Sequence, residues 1–421
     1  MKETLVLLFL GIGLSLTAQF DQISVGPRYS NQTFYSLSDG TLSTSSHELW
    51  DIAFSTQGVQ DAGVFINEGS ALGALIEVEL YNTFESDFDA VSSLDSMDWE
   101  RLYNPEADWR NGAFNSIKDD TDVFDYGWGQ YNSSANTVVG TTVYAVQLRS
   151  GEWKKIFIES LFFDWVFKYA DLDGSNLVEQ VIPKVDHIGK VLAYYSLENN
   201  EVVDIEPTGW DLLFTRYNTY TDDGNGNFRN YVVTGVLSGL DVMVAEFDDV
   251  DPSSLDHEDV AQEDYLTPLD QIGFDWKTVD INSSLYTIDD DRVYFVQAAS
   301  DRVCKVEFID FEGAATGVTT INKECYIVAR TNDIEIDGIQ SLSVFPNPTT
   351  ERINILADFE EASETEVILV DAAGRVAQKK SIHFDKGYQH RYLDINVLSG
   401  AYTLVIKSKN KTQTLAIIVN R

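Results

Sequence analysis

The chain contains Phe34-Tyr-Ser-Leu37 and Trp50-Asp-Ile-Ala-Phe54, and 160 residues later it repeats them as Tyr194-Tyr-Ser-Leu197 and Trp210-Asp-Leu-Leu-Phe214. Two further pairs of blocks follow in the same order: Asp87–Val91 with Glu246–Val250, and Val143–Gln147 with Val293–Gln297. Recurrence of four blocks in one order, at an offset of 150 to 160 residues, is the signature of an internal repeat. The sequence therefore predicts two copies of one structural unit.

The repeated blocks have the alternating pattern of strands. Around Tyr144 the apolar side chains alternate with polar ones, which gives a strand one apolar and one polar face. The Trp-Asp blocks likewise predict Trp, Ile or Leu, and Phe on one core-facing side, with Asp on the other. Short runs of aromatic and β-branched residues, broken by Gly, Asn and Asp, continue along the chain. The predicted fold class is all-β.

The first residues predict a signal peptide. Lys2 precedes an apolar stretch from Leu5 to Leu16, and Ala18-Gln19 is a plausible cleavage point. That stretch is shorter than the roughly 20 residues that a membrane-spanning helix needs. The alternative is a buried N-terminal strand. The predicted organisation is a signal peptide (1–18), a first repeat unit (19–180), a second repeat unit (181–337) and a small C-terminal β-sandwich (338–421).

The acidity of the chain is confined to the repeat units. The formal net charge is −39, and the segment from Gly338 onward carries 10 Lys and Arg against 9 Asp and Glu. This leaves a charge of −40 on the first 337 residues. Such a surface repels nucleic acid and keeps an extracellular protein soluble, so nucleic acid is not an expected partner.

The two cysteines, Cys304 and Cys325, flank a predicted hairpin with a turn at Gly313–Gly317. Pairing across that turn would place the two thiols almost opposite each other, and an exported protein meets oxidising conditions. The sequence favours a cross-strand disulfide, and two free buried thiols are the alternative.

The segment from residue 338 resembles the C-terminal sorting domain of the type IX secretion system. The resemblance rests on Phe345–Pro348, Asp371–Val376 and Leu398–Ile406, in that order. Pro346, Asn347 and Pro348 would fix the entry to the first strand, while Gly374 and Gly400 would permit tight turns. The resemblance implies recognition by the type IX machinery of the outer membrane, and hence a secreted or cell-surface protein. An ordinary β-sandwich binding module is the alternative.

The repeat units resemble the HmuY-like family of exported haem-binding proteins. The resemblance is carried by Tyr194–Leu197, Trp210–Tyr217, Asp87–Val91 and Tyr144–Ser175, and it spans roughly residues 24 to 330. It implies a β-rich fold with a ligand pocket, in which two side chains, typically histidines, hold the haem iron. The sequence departs from that pattern at Thr215, where a ligand would be expected.

Six residues are the candidate ligand-binding set. His47, His187 and Met243 would supply nitrogen or sulfur to iron. Arg216, Tyr217 and Tyr220, which follow the second Trp-Asp block, would contact a flat aromatic or carboxylate-bearing ligand. The candidate cofactors are haem and Ca²⁺, and the carboxylates of Asp171 and Asp173 are the candidate calcium ligands, with a polar turn as the alternative.

The sequence contains no pattern typical of a hydrolase, a metalloprotease or a phosphate-binding loop. The leading hypothesis is therefore a non-enzymatic ligand-binding protein, exported through type IX secretion. The alternative is a structural or adhesive surface protein that binds glycan or protein.

Overall fold

The structure is a computed structural model that describes residues 19–58, 61–70, 77–94, 98–222, 226–280, 285–298, 302–327, 339–345, 349–350, 352–359, 361–371, 375–408 and 411–419. The protein is all-β. Helical segments in these ranges are 3₁₀ turns of three or four residues: Pro27–Tyr29, His47–Leu49, Ala113–Asn115, Lys184–His187, Pro252–Ser254, His257–Asp259, Gln262–Asp264 and Gly313–Ala315. No helix in the described ranges is long and apolar enough to cross a membrane.

The strands are numbered along the chain. Those of the first repeat are β1 (Gln19–Ser24), β2 (Asn31–Ser36), β3 (Gly40–Ser46), β4 (Ile52–Ser55), β5 (Val64–Ile66), β6 (Glu79–Glu85), β7 (Glu100–Leu102), β8 (Gly129–Asn132), β9 (Thr137–Gly140), β10 (Val143–Gln147), β11 (Trp153–Leu161) and β12 (Asp164–Asp171). Those of the second are β13 (Val178–Pro183), β14 (Leu192–Ser196), β15 (Glu201–Val203), β16 (Leu212–Asp222), β17 (Phe228–Ser238), β18 (Met243–Phe247), β19 (Lys277–Asp280), β20 (Leu285–Ile288), β21 (Val293–Gln297), β22 (Arg302–Phe311) and β23 (Val318–Ile327).

The two repeats form one compact unit, in which four large sheets lie in layers and β19 and β20 form a separate two-stranded sheet. The first outer sheet has the order β13-β12-β11-β10-β6-β7, with β8 and β9 beside it, and the second has the order β1-β23-β22-β21-β18. Between them lie two inner sheets, β15-β14-β4-β5 and β17-β16-β2-β3. Each inner sheet is buried on both faces, because alternate side chains of β4 and of β16 belong to different hydrophobic clusters.

Each inner sheet contains strands from both repeats. In one, Tyr194 of β14 pairs with Ala53 of β4, and in the other, Leu212 of β16 pairs with Tyr35 of β2. The outer sheets show the same exchange. In the first, β13 of the second repeat pairs with β12 of the first, and in the second, β1 of the first repeat pairs with β23 of the second. The units predicted as 19–180 and 181–337 are therefore interleaved.

The repeated sequence blocks meet each other across this exchange. Asp51 Oδ2 accepts a hydrogen bond from Leu197 N at 2.7 Å and one from Ser196 Oγ at 3.3 Å. Asp211 Oδ2 accepts the matching bonds, from Leu37 N at 2.7 Å and from a serine hydroxyl at 3.3 Å. We call these two contacts the aspartate clamps. Each Trp-Asp block of one repeat thus holds the Tyr-Ser-Leu block of the other.

The prediction that Trp, Ile or Leu, and Phe share one face of the Trp-Asp block was wrong. Trp50 belongs to the cluster between the inner sheets, whereas Ile52 and Phe54 face the first outer sheet. The reason is that β4 begins at Ile52, so strand alternation does not extend back to the tryptophan. The aspartate was expected on a polar face, but Asp51 is fully buried by its clamp.

The aromatic side chains of the blocks pack in the core. The Trp50 ring meets the Tyr194 ring edge-on at 4.9 Å, and Trp210 meets Phe34 in the same way at 5.3 Å. Such pairs contribute about 0.5–1.5 kcal/mol beyond the burial of their area. Cys304 and Cys325 are direct partners in the β22–β23 pair, and a disulfide joins them.

The described residues from Ile339 onward form a second compact unit. It contains β24 (Ile339–Phe345), β25 (Arg352–Phe359), β26 (Ser363–Asp371), β27 (Val376–Phe384), β28 (Gly387–Asp394), β29 (Gly400–Ser408) and β30 (Lys411–Val419). The sheets β24-β25-β28 and β27-β26-β29-β30 enclose one apolar core, which makes the unit a small β-sandwich.

Several predicted residues fall outside the described ranges. They are the signal peptide (1–18), Pro346, Asn347, Pro348 and Gly374. Gly400 is described: it follows a bend at Ser399, begins β29 and pairs with Val419. Gly387, at the start of β28, has a left-handed backbone conformation with φ 88°.

The aspartate clamps predict a shared unfolding transition for the two repeats. We expect Asp51→Ala and Asp211→Ala each to lower the free energy of unfolding by about 1.5–3 kcal/mol, because buried charged hydrogen bonds are lost. Asp51→Ala should cost more, since Arg149, whose Nη2 lies 3.3 Å from Asp51 Oδ1, stays buried and keeps only Glu198, at 3.1 Å, as a carboxylate partner among the described residues. Urea unfolding followed by tryptophan fluorescence measures both values.

Asp290→Ala, which changes an exposed aspartate, is the matched control and should leave the midpoint of the urea unfolding transition unchanged. A variant that splits the transition into two steps would show that the repeats unfold independently, contrary to the interleaved architecture.

Candidate functional site

A cavity of about 60 Å³ lies between the two inner sheets. Its walls come from both repeats: β2, β5 and residue 50 from the first, and β14, β16 and β17 from the second. The lining residues are Gln32, Trp50, Phe65, Ile66, Asn67, Glu68, Gly69, Asn104, Trp109, Leu192, Tyr194, Leu213, Thr215, Arg216, Tyr217 and Leu237. We call this space the junction cavity, because neither repeat alone encloses it.

Most of the walls are buried, and two lining residues are partly exposed. These are Asn104 and Arg216, which therefore mark the mouth of the cavity. Arg216 Nη1 donates a hydrogen bond to the carbonyl oxygen of Gly69 at 3.3 Å. Deeper inside, Gln32 is only 2% exposed, and its Nε2 lacks a hydrogen-bond partner within the described residues.

Glu68 is the buried carboxyl group of the cavity. Its Oε1 accepts from Asn104 N and its Oε2 from Asn104 Nδ2, both at 3.0 Å. Burial raises the pKa of Glu68 to about 8, and the negative charge of Glu77 adds to the effect, while the bonds from Asn104 oppose it. Glu68 is therefore mostly protonated at neutral pH.

His47 lies behind the wall formed by Gly69. A Cβ atom at position 69 would come within 2.9 Å of His47 Cε1 and 2.7 Å of the Arg216 carbonyl oxygen, so only glycine permits this approach. Burial lowers the pKa of His47 to about 3, and the charge of Arg216 lowers it further. His47 is thus a neutral imidazole beside the mouth.

The structure brings together three of the six candidate ligand residues. Arg216 and Tyr217 line the junction cavity and His47 lies against it. The other three lie elsewhere: Met243 on β18 of an outer sheet, His187 in a 3₁₀ turn, and Tyr220 exposed on the β16–β17 hairpin. His47, His187 and Met243 occupy different layers, so these three do not form one ligand set.

Asp171 and Asp173 lie in the turn after β12. Asp171 pairs with Lys154 and accepts hydrogen bonds from Ser175 Oγ at 3.1 Å and Asn176 Nδ2 at 2.6 Å. Asp173 Oδ1 accepts from the backbone and the hydroxyl of Ser175. Within the described ranges, no group of three or more His, Cys, Asp or Glu is placed to hold a metal ion. The calcium site stays a prediction.

Sequence reasoning missed several residues of the cavity. Asn104 and Trp109 lie outside every repeated block, and both come from connecting segments. Gln32 lies two residues before Phe34, where the block begins, but an isolated glutamine carries no signal of burial. The sequence shows no spacing that would have grouped these residues.

The comparisons with known proteins identify the C-terminal unit. Residues 343–420 match the family model described as a secretion system C-terminal sorting domain, which confirms the predicted type IX sorting domain. The protein is therefore exported across the outer membrane, to the cell surface or the medium. No curated protein sequence matches the chain. A structure comparison pairs it with dimeric latent PorU from Porphyromonas gingivalis at 10% identity and a TM-score of 0.18, covering 85% of this chain and 31% of that one.

The raised pKa of Glu68 predicts a pH-dependent effect of Glu68→Gln. The carboxyl group binds a proton more tightly in the folded chain than in the unfolded chain, so its contribution to stability is complete below about pH 4.5 and is lost as pH rises through about 8. The stability of Glu68→Gln relative to the unmodified chain should therefore increase from pH 5 to pH 9, since each pKa unit corresponds to about 1.4 kcal/mol.

Urea unfolding at pH 5, 7 and 9 measures this difference. Glu258→Gln, which changes an exposed glutamate, is the control. The difference in stability between this variant and the unmodified chain should be the same at the three pH values. A flat profile for Glu68→Gln as well would show that the carboxyl group is ionised in the folded chain at neutral pH.

Proposed function

We propose that this protein is an exported, non-enzymatic binding protein that holds a small ligand in the junction cavity. The observation that carries the proposal is that Arg216 and Tyr217 line one cavity and that His47 lies against its Gly69 wall. These residues were selected from the sequence as ligand contacts, and His47 comes from the first repeat whereas Arg216 and Tyr217 come from the second. The sorting domain supports export, and the repeat units supply the binding scaffold.

The composition of the cavity supports a binding role. A buried amide donor without a partner costs free energy, about 1–3 kcal/mol in proteins, unless a water molecule or a ligand satisfies it. Gln32 Nε2 is such a donor. Ligand sites typically combine apolar and aromatic walls with a few polar groups, which is the composition of this cavity.

The size of the cavity favours a ligand of few heavy atoms. At roughly 10–15 Å³ for each water-sized probe, about 60 Å³ corresponds to four to six such positions. Pockets for drug-sized ligands measure about 300–1,000 Å³. The HmuY-like resemblance suggests haem as the alternative candidate ligand. The observation that favours haem is the neutral, buried imidazole of His47.

Occupation of the cavity predicts a ligand-dependent rise in melting temperature. We expect a small ligand to stabilise the full chain and the control Leu285→Trp, which changes an exposed leucine, but not Leu237→Trp, which fills the cavity. Gln32→Leu, close in size but without the amide, should weaken the effect. Thermal shift assays with small carboxylates, amides and amines measure these effects.

Equal stabilisation of Leu237→Trp and the unmodified chain would place the site elsewhere. Haem is tested separately by absorbance, beside His47→Ala, His187→Ala and Met243→Ala. A saturable Soret shift that one of these variants abolishes would identify haem, and not a small molecule, as the ligand.

The sorting domain predicts the location of a truncated chain. In a host with type IX secretion, a chain without residues 343–420 should accumulate in the periplasm, whereas the full chain should reach the surface or the medium. Fractionation and immunoblotting measure the distribution, with the exposed Tyr220→Ala as a control that is exported normally. Export of the truncated chain would contradict the role assigned to this domain.

A further inference from the structure

Strand β17 lies at the edge of its inner sheet, and part of that edge is unpaired. The sheet order is β17-β16-β2-β3, so β17 pairs with β16 on one side. Near its end, β17 is covered on the other side by a loop, because Val236 N donates to the Gly273 carbonyl oxygen at 2.9 Å. Ser238 N donates in the same way to the Leu269 carbonyl oxygen at 2.7 Å. Residues 228–234 have no backbone partner on this side within the described ranges, and we call them the free edge.

The pairing register identifies the backbone groups that point outward from the free edge. In an antiparallel pair, the groups of alternate residues bond to the neighbouring strand, and those of the residues between them point away. Val236 N and Ser238 N bond to the loop on the side away from β16, so the even-numbered residues of β17 point outward. The N–H groups of Phe228, Asn230 and Val232 are therefore directed away from β16.

The free edge lacks the features that usually keep an edge strand from pairing, which are short length, lysine, proline or a bulge. β17 has eleven residues, and its register against β16 is uninterrupted. It contains no proline or lysine, and its one charged side chain is that of Arg229. By contrast, β3, at the opposite edge of the same sheet, has a register shift against β2. The free edge is therefore a template for an added strand.

Exposed aromatic side chains flank the free edge on both faces of the β16–β17 hairpin. β2 pairs with β16 only as far as Phe214, so the outer part of the hairpin extends beyond the sheet. On one face, the rings of Tyr220 and Phe228 are 6.0 Å apart, and these residues are 65% and 62% exposed. On the other face, Tyr231 is 52% exposed. Aromatic and β-branched side chains of an added strand would pack against these rings.

Charge selects among the strands that could be added. The acidity of the chain lies in the repeat units, so their surface attracts cationic partners and repels a second copy of the chain. We propose that the free edge binds an extended, lysine- or arginine-rich segment of a partner protein by β-strand addition. The backbone of that segment bonds to the outward groups of Phe228, Asn230 and Val232. Its apolar side chains pack on Tyr220, Phe228 and Tyr231. This binding function is independent of the junction cavity.

Fluorescence anisotropy with labelled peptides and the full chain, at physiological salt, tests strand addition. The first probe is a peptide of about eight residues that alternates lysine with valine and tyrosine. In the second probe proline replaces the valines, which keeps the charge and removes backbone donors. In the third, glutamate replaces lysine. We expect the first probe to bind about tenfold or more tightly than the others, because the second loses hydrogen bonds and the third is repelled.

Two substitutions at one exposed position separate backbone pairing from side-chain contact. Asn230→Pro removes an outward N–H but no hydrogen bond to β16, and it should weaken binding of the first probe about tenfold. Asn230→Ala keeps that N–H and is the matched control, which should bind like the unmodified chain. Circular dichroism melting shows whether each variant is folded, and the proline probe tests the same hydrogen bonds without any change to the chain.

The other outcomes would overturn the proposal. Binding of the proline probe as tight as that of the first probe would show that charge alone attracts the peptide. Equal affinity of folded Asn230→Pro and Asn230→Ala for the first probe would show the same. Tighter binding of the glutamate probe would exclude a basic partner. A dimer in sedimentation velocity experiments, abolished by Asn230→Pro, would assign the free edge to a second copy of the chain. Absence of binding of the first probe would contradict strand addition directly.

Discussion

The architecture of the acidic region depends on the two aspartate clamps. Asp51 and Asp211 accept the same pair of hydrogen bonds, each from the Tyr-Ser-Leu block of the other repeat. A buried carboxylate costs desolvation energy that only well-placed donors offset, so each clamp fixes the relative position of two strands far apart in sequence. The inner sheets, the cluster between them and the junction cavity all follow from that fixed position.

The sequence predicted the elements of the fold better than their arrangement. The all-β class, the sorting sandwich and the Cys304–Cys325 hairpin follow from alternation, turn residues and spacing, which are local signals. The exchange of strands between repeats leaves no local signal, because a strand pairs equally well with its own copy or with the other. The aspartates had been assigned to a polar face for the same reason, since a partner 146 residues away is invisible to periodicity.

The candidate site was predictable in part. Arg216 and Tyr217 follow the second Trp-Asp block, and their position next to a conspicuous motif was enough to select them. Glu68 and Asn104 come from connecting segments and reach the cavity only through tertiary packing. The repeats have also diverged at the cavity: Leu213 stands where the first copy has Ala53, and Arg216 where it has Thr56. The two copies of the scaffold therefore place side chains of different size and charge at these positions.

The pairing of β1 with β23 has a consequence for the time course of folding. Gln19 lies opposite Lys323, so the second outer sheet cannot be completed until more than 300 residues of chain are available. Contacts between such distant segments form slowly, because a long loop must close before they contribute. A chain that becomes available with its N-terminus first would therefore stay incompletely folded until most of its length is present. Exposed strand edges in that interval would be open to non-native pairing.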